Sequence, residues 1–355
     1  MDRIGAGELV VIDGATGTEC ERRGVPKLDG AWNGGAALSH PEVVRQIHRD
    51  YLDAGAELII ANTFATHRHA LEVAGVADDF VEYNRRGVEL AVEARPEVAA
   101  DGAVVAAGIS NWTWEGEHPP LDVLVQNSAD QATALASGGA ELLILEMMID
   151  IGRMRATLDG AMTVGLPIWV GFTCGSWERA PIGDDGIVRL LDGESLSDAI
   201  DALDGYDVGA VAIMHTSVDL IDACLDVALE RWAGPVGVYA HSGDGVYGDW
   251  VLDEVMSPAA HRAVATSWID RGVRIIGGCC GIAPTTSGLS PSSSDRERLR
   301  TRRTSSPRVD TPETRSNIER RQPSAVVPIR SGDGQRPERS IGALRRGLGF
   351  WARGP

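Results

Sequence analysis

The chain has 355 residues, 43% of them hydrophobic, with 51 acidic against 33 basic side chains and five cysteines. That apolar content suffices for one large core or two small ones, while a net charge of −18 argues against nucleic acid or an anionic membrane surface, whose phosphates need basic partners. No 18-residue apolar run is present to cross a membrane, MDRIGAGELVVIDG lacks the pattern of a secretory leader, and an odd cysteine number suits a reducing cytoplasm better than a disulfide scaffold.

In chain order, eight short runs rich in Val, Ile, Ala and Leu alternate with helix-like stretches. Glu8–Gly14 comes first. Pro41–Ala54 then places Val44, Ile47, His48, Tyr51 and Leu52 on one helical face, with Pro at its start and Gly55 just past its end. The runs Glu57–Phe64, Val104–Ser110, Glu141–Met148, Pro167–Cys174, Gly209–Thr216, Pro235–Ser242 and Val273–Cys280 follow. Between them helices are predicted at Val81–Arg95, Leu121–Ser137, Gly152–Val164, Ser195–Leu203, Asp219–Trp232 and Pro258–Asp270. Near-continuous apolar runs of this length fit strands buried on both faces of a parallel sheet. Eight of them alternating with helices predict an α/β fold, a (β/α)8 TIM barrel in one domain. A doubly wound open sheet is the alternative, but no GxGxxG follows the first strand.

The charge divides the chain. Residues 1–285 carry 18 basic and 44 acidic side chains, a net −26, and residues 286–355 carry a net +8. The barrel domain is accordingly placed at 1–285, and the Ser-, Pro- and Arg-rich segment 286–355 reads as a disordered tail. The eighth helix, due just after the eighth strand, is atypical or missing. The abrupt shift near Pro284 fits foreign sequence or a reading-frame change, with a basic tail folding on the acidic body as the alternative. Lys27 is the single lysine of the body, and an acidic, lysine-poor surface suits a high-salt cytoplasm, although GC-rich codon bias favours the same residues.

In a barrel, chemistry sits at the C-terminal strand ends. Here those ends read Asp13, Asn62-Thr63, Ser110-Asn111, Glu146, Thr173-Cys174, His215-Thr216, His241-Ser242 and Cys279-Cys280. The Cys279-Cys280 pair lies within GGCCG, whose glycines permit a tight turn that aims both sulfurs at one ion. Zinc prefers thiolate and imidazole, and a catalytic zinc has three protein ligands with one position open. His215 is the best third ligand from the residues alone, with His241 and Cys174 behind it.

Several segments resemble the homocysteine S-methyltransferase family of zinc enzymes. IDGATGTECERRG (12–24) resembles its opening DGGxGTxLxxxG, and GAWNGGAALSHPEVVRQIHRDYLDAGAELIIANTFAT (30–66) its W…PxxVxxxHxxYxxAGADxIxTNTY/F segment. ELLILEMM (141–148) resembles the strand bearing a Glu, and VRIIGGCCGIAP (273–284) the zinc-binding GGCCGxxP. The resemblance spans about Val10 to Pro284 and implies a (β/α)8 barrel. It also implies zinc (Zn2+) as cofactor, with Cys279 and Cys280 as ligands and His215 standing where the family has a Cys. AHSGD (240–244) departs from a PNSGE-like stretch and puts His241 near the same mouth.

The resemblance implies transfer of a methyl group from a cationic donor (S-methylmethionine, betaine or S-adenosylmethionine) to homocysteine, with no protein catalytic group beyond the metal-activated substrate thiol. Glu146 matches the family's substrate-binding Glu; Asp13, Gly14, Trp32, Asn62 and Thr63 match positions that line its pocket. Thr16 and Thr18 add hydrogen bonds or cap the following turn, and Trp112, Trp114 and Trp177 are candidates for a cage around the donor's cation. The expected partners are a small-molecule thiol and a methyl donor, with neither nucleic acid nor membrane and with room for a homo-oligomer. Competing readings are a metal-dependent barrel lyase or hydrolase using His215, His241 and Glu146, and an inactive relative.

Overall fold

The computed structural model describes residues 2–98, 102–113, 117–175, 182–246, 249–251 and 256–287. Seven parallel strands come first: β1 (Val10–Val11), β2 (Leu58–Ala61), β3 (Val104–Ile109), β4 (Leu142–Met148), β5 (Ile168–Phe172), β6 (Ala210–Ser217) and β7 (Val236–His241). A short antiparallel hairpin, β8 (Asp244–Val246) and β9 (Asp249–Val251), intervenes before the last barrel strand, β10 (Ile275–Ile276). The eight barrel strands lie in the order β1-β10-β7-β6-β5-β4-β3-β2, and a parallel bridge from Ile12 to Leu58 closes the ring. This is the expected (β/α)8 architecture. The hairpin was not legible as a pair of strands, because three-residue strands carry no period.

Alternation along each strand divides two cores. Inward residues such as Ile12, Leu58, Ala106, Ile144, Trp169, Ala212 and Ile275 fill the barrel, while Val11, Ile59, Val105, Leu143, Val170, Val211 and Val238 face the helices. The helix Pro41–Asp53 buries Val44, Ile47, His48, Tyr51 and Leu52, the stripe its sequence spacing predicts. Leu121–Ser137 and Pro258–Arg271 likewise fall where the pattern puts them.

The first and last barrel strands are only two residues long, shorter than their apolar runs. Past β10 the chain turns through Gly277–Gly281 yet keeps strand-like bonds to both neighbours. Gly277 N–H donates to Val238, Gly278 N–H to Asp13 and Cys279 N–H to Ala240, at 3.1, 3.0 and 2.8 Å. Where the eighth helix is due, the described residues show a single turn, Pro284–Ser287. The tail beyond it lies outside the described residues.

Candidate metal centre

Three ligand-capable atoms meet at the C-terminal mouth: a ring nitrogen of His215, Cys279 Sγ and Cys280 Sγ all lie within 4.8 Å of one another. His215 Nδ1 is 3.4 Å from the Cys279 sulfur, and the two sulfurs are 4.0 Å apart. Tetrahedral zinc, with bonds of about 2.0–2.3 Å, separates its ligands by about 3.5–3.8 Å, so this trio fits with small adjustments. Hydrogen bonding with Cys280, and then the adjoining His215 ring, hold the Cys279 thiol well below its ordinary range. Burial pushes Cys280 well above it. A cation placed between the sulfurs would favour both thiolates.

Backbone irregularity aims these groups. The β6–β7 register shifts between Met214 and Ser217, and His215 has φ +44°. In a regular strand with Met214 facing inward, residue 215 would point at the helices; the bulge turns it into the mouth. A second shift, between Leu145 and Met148 against β5, carries Glu146 and Met147, the latter at φ +54°. Positive φ at a non-glycine residue is uncommon and clusters at functional sites. The third such residue, Trp32 at φ +44°, belongs to the sequence-predicted pocket.

The cysteine turn is clamped from outside the barrel. Tyr51 Oη donates to the Ile282 carbonyl at 2.9 Å, Arg22 to the Gly281 carbonyl at 3.1 Å, and Gly281 N–H to Thr18 Oγ1 at 3.4 Å. Thr18 thus binds the turn, while no side chain caps the helix Thr16–Arg22. Its glycines are packing necessities: a Cβ on Gly278 would lie 2.2 Å from Ile282 Cγ2, and one on Gly14 2.5 Å from the Ile282 carbonyl. Gly14 therefore lets the first loop close against the turn.

Beside this trio lie two buried carboxylates. Asp13 Oδ2 accepts from the Ile60 N–H at 2.7 Å, while Oδ1 has no hydrogen-bond partner among the described residues. Burial raises the Asp13 carboxyl well above its ordinary range, and Glu146 is raised by burial first and then by Cys279 and Asp13. Glu146 leans over Gly108, where a Cβ would come within 2.1 Å of Oε2. Thr63 is turned into the wall and donates to the Gly108 carbonyl at 2.8 Å, holding the strand beneath Glu146.

The Trp32 ring covers Gly17, and its Nε1 donates to Glu21. Asn62 Nδ2 donates to the Asn33 carbonyl at 3.1 Å, and Asn33 Nδ2 to the Gly17 carbonyl at 3.0 Å, so both asparagines pin the Trp32 loop. Trp112 and Phe64 pack at the rim of the inner core. Trp114 and Trp177 lie outside the described residues.

Of the alternative ligands, His241 stacks obliquely on His215, ring centroids 4.9 Å apart, and lies outside the trio. Cys174 is buried beside Cys224, and that neighbour together with burial holds its thiol well above the ordinary range. Sequence reasoning overlooked Tyr239, an inward aromatic of β7 buried in the same mouth. Its period-two spacing from His241 was the available signal.

Comparison with known proteins agrees with the fold. The sequence model of the homocysteine S-methyltransferase family matches residues 10–286. Homocysteine S-methyltransferase 1 of Arabidopsis thaliana is 26% identical, over 79% of this chain and 91% of its own length. The selenocysteine Se-methyltransferase of Brassica oleracea var. italica is also 26% identical, over 79% and 87%. The metallated form of the homocysteine methyltransferase MmuM from Escherichia coli superposes with a TM-score of 0.65 at 24% identity, covering 79% of this chain and 94% of that one. With its barrel order and its family match from the first strand to the turn after the cysteine pair, the chain belongs to the homocysteine S-methyltransferase family, a family of transferases.

Proposed function

We propose that this chain transfers a methyl group from a cationic donor (S-methylmethionine, betaine or S-adenosylmethionine) to the thiol of homocysteine, giving methionine, with zinc held by His215, Cys279 and Cys280. The observation that carries this reading is the convergence of those three ligand atoms within 4.8 Å. Zinc bound there supplies the positive charge that keeps a coordinated substrate thiol ionised at neutral pH.

Asp13 and Glu146 bind the substrate's ammonium group and so fix the direction in which its sulfur points. Gly14 admits the first loop against the cysteine turn, Asn62 holds the loop bearing Trp32, and Thr63 holds the seat of Glu146. Trp32, with Trp112 and Phe64 at the rim, offers aromatic faces to the donor's cation. The new carbon–sulfur bond forms as the methyl group's bond to the donor heteroatom breaks, and that electron pair stays on the donor and neutralises it. An in-line displacement of this kind asks the chain chiefly for positioning. An imidazole in place of a third thiolate leaves the ligand set one unit more positive, which favours ionisation of the substrate thiol at some cost in nucleophilicity.

The catalytic unit is placed within residues 1–285, and its partners are small molecules rather than nucleic acid. All five cysteines are free thiols, and no described helix is long and apolar enough to cross a membrane. The free thiols support a cytoplasmic setting. The test is methionine formation from homocysteine with each donor in turn. At least one donor should yield methionine, with activity lost to a chelator and restored by zinc. A zinc-loaded chain that makes no methionine from any donor overturns the assignment.

A further inference from the structure

Two inward glycines flank Glu146 in the upper layer of the barrel, Gly108 on β3 and Gly171 on β5. The carboxylate of Glu146 fills the space over the first, and the phenol of Tyr239 fills the space over the second. A Cβ on Gly171 would lie 2.5 Å from Tyr239 Oη and 2.8 Å from Met214 Cγ. Tyr239 starts on β7, paired in register with Met214 of β6, so its ring crosses β6 to bring the hydroxyl to β5, next to the strand of Glu146. There the hydroxyl lies within electrostatic reach of Glu146, Cys279 and Asp13. Tyr239 is only 3% exposed, and its hydroxyl has no hydrogen-bond partner among the described residues. Buried hydroxyls are rarely left so, because desolvation without a partner is costly. Asp13 Oδ1, equally buried, is also unpartnered.

An α-ammonium group carries three N–H donors. Asp13 Oδ1, the Glu146 carboxylate and Tyr239 Oη are three buried acceptors at this mouth, the two carboxylates near enough for their charges to be felt by the phenol. We propose that Tyr239 is a positioning residue that accepts the third hydrogen bond of the substrate's ammonium group and makes the pocket selective for a free primary amine. This rests on the assignment of Asp13 and Glu146 to that ammonium. The neutral phenol supplies an acceptor without adding a third negative charge to two carboxylates that already disfavour each other's ionisation.

The test compares L-homocysteine with 4-sulfanylbutanoate, the same thiol acid without its amine, by calorimetric titration of the zinc-loaded enzyme. The wild-type enzyme should bind homocysteine more tightly. Tyr239→Phe should weaken homocysteine about tenfold, the scale of one hydrogen bond to a charged group, and leave 4-sulfanylbutanoate unchanged. Zinc content should stay the same and the melting temperature should not fall, since the lost oxygen has no hydrogen-bond partner among the described residues. Gly171→Ala displaces the hydroxyl without removing it and should show the same amine-dependent loss; it also decides the matter should Tyr239→Phe fail to fold. Equal weakening of both thiols, or no weakening of homocysteine, overturns the role of Tyr239 while Glu146→Gln still reports on the ammonium assignment. A wild-type enzyme that does not distinguish the two thiols overturns that assignment and this proposal together.

Discussion

At the scale of single residues, His215 is where this chain departs most from what its resemblance implies. The imidazole reaches the two sulfurs because its backbone leaves regular strand geometry, at φ +44° within a bulge. The departure yields a direct prediction. His215→Ala and Cys280→Ser should each lose zinc from about one ion per chain, measured by elemental analysis of the purified protein. His215→Cys should retain the metal, and after cobalt substitution its sulfur-to-metal charge-transfer band should grow in proportion to a third thiolate. Full zinc retention in His215→Ala removes His215 from the ligand set. The cysteine pair was legible because adjacent cysteines between glycines have few other uses. That His215 rather than His241 or Cys174 lies within 4.8 Å of both sulfurs depends on the bulge, because a strand's period of two does not announce where it will slip.

At the scale of elements, the barrel strands and most helices were readable because each buries a continuous or periodic apolar face. The Pro41–Asp53 helix buries the five residues its spacing selects. The short closing strands were not readable as such, because the apolar residues of 273–280 continue past β10 into the glycine turn. Across that turn, hydrogen bonds with Tyr51, Arg22 and Thr18 add to the remaining strand-like bonds in restraining Cys279 and Cys280. Tyr51→Phe removes the buried bond to the Ile282 carbonyl and leaves that acceptor unmatched. It should cost about 1–2 kcal/mol in chemical denaturation and speed zinc release to a chelator. Unchanged stability and release together would show that the turn is held without Tyr51.

At the scale of the whole molecule, charge is the dominant sequence signal. A body of net −26 with one lysine meets its carboxylates mostly with arginine, as in Arg23 with Glu19 and Asp50 or Arg86 with Glu89 and Glu93. Such surface pairs contribute little individually, so the uncompensated carboxylates repel one another across the surface. Salt shortens that repulsion from about 10 Å at 0.1 M to about 3 Å at 1 M. The melting temperature should therefore rise as KCl is raised from about 0.1 M to molar concentration. A flat or falling curve would show that the excess acidity does not govern stability.

The sequence by itself determined the barrel, the acidic body, the polar strand ends and the candidacy of Cys279 and Cys280, because hydrophobic period, composition and glycine placement are local properties of the chain. Tertiary structure decided what those ends do together. It slipped two strands so that Glu146 and His215 enter the mouth, set Cys174 aside beside Cys224, and passed the Tyr239 phenol across β6 to the space over Gly171. Each of these depends on the register between strands distant in sequence and on the space a glycine leaves opposite, quantities that exist only once the ring has closed.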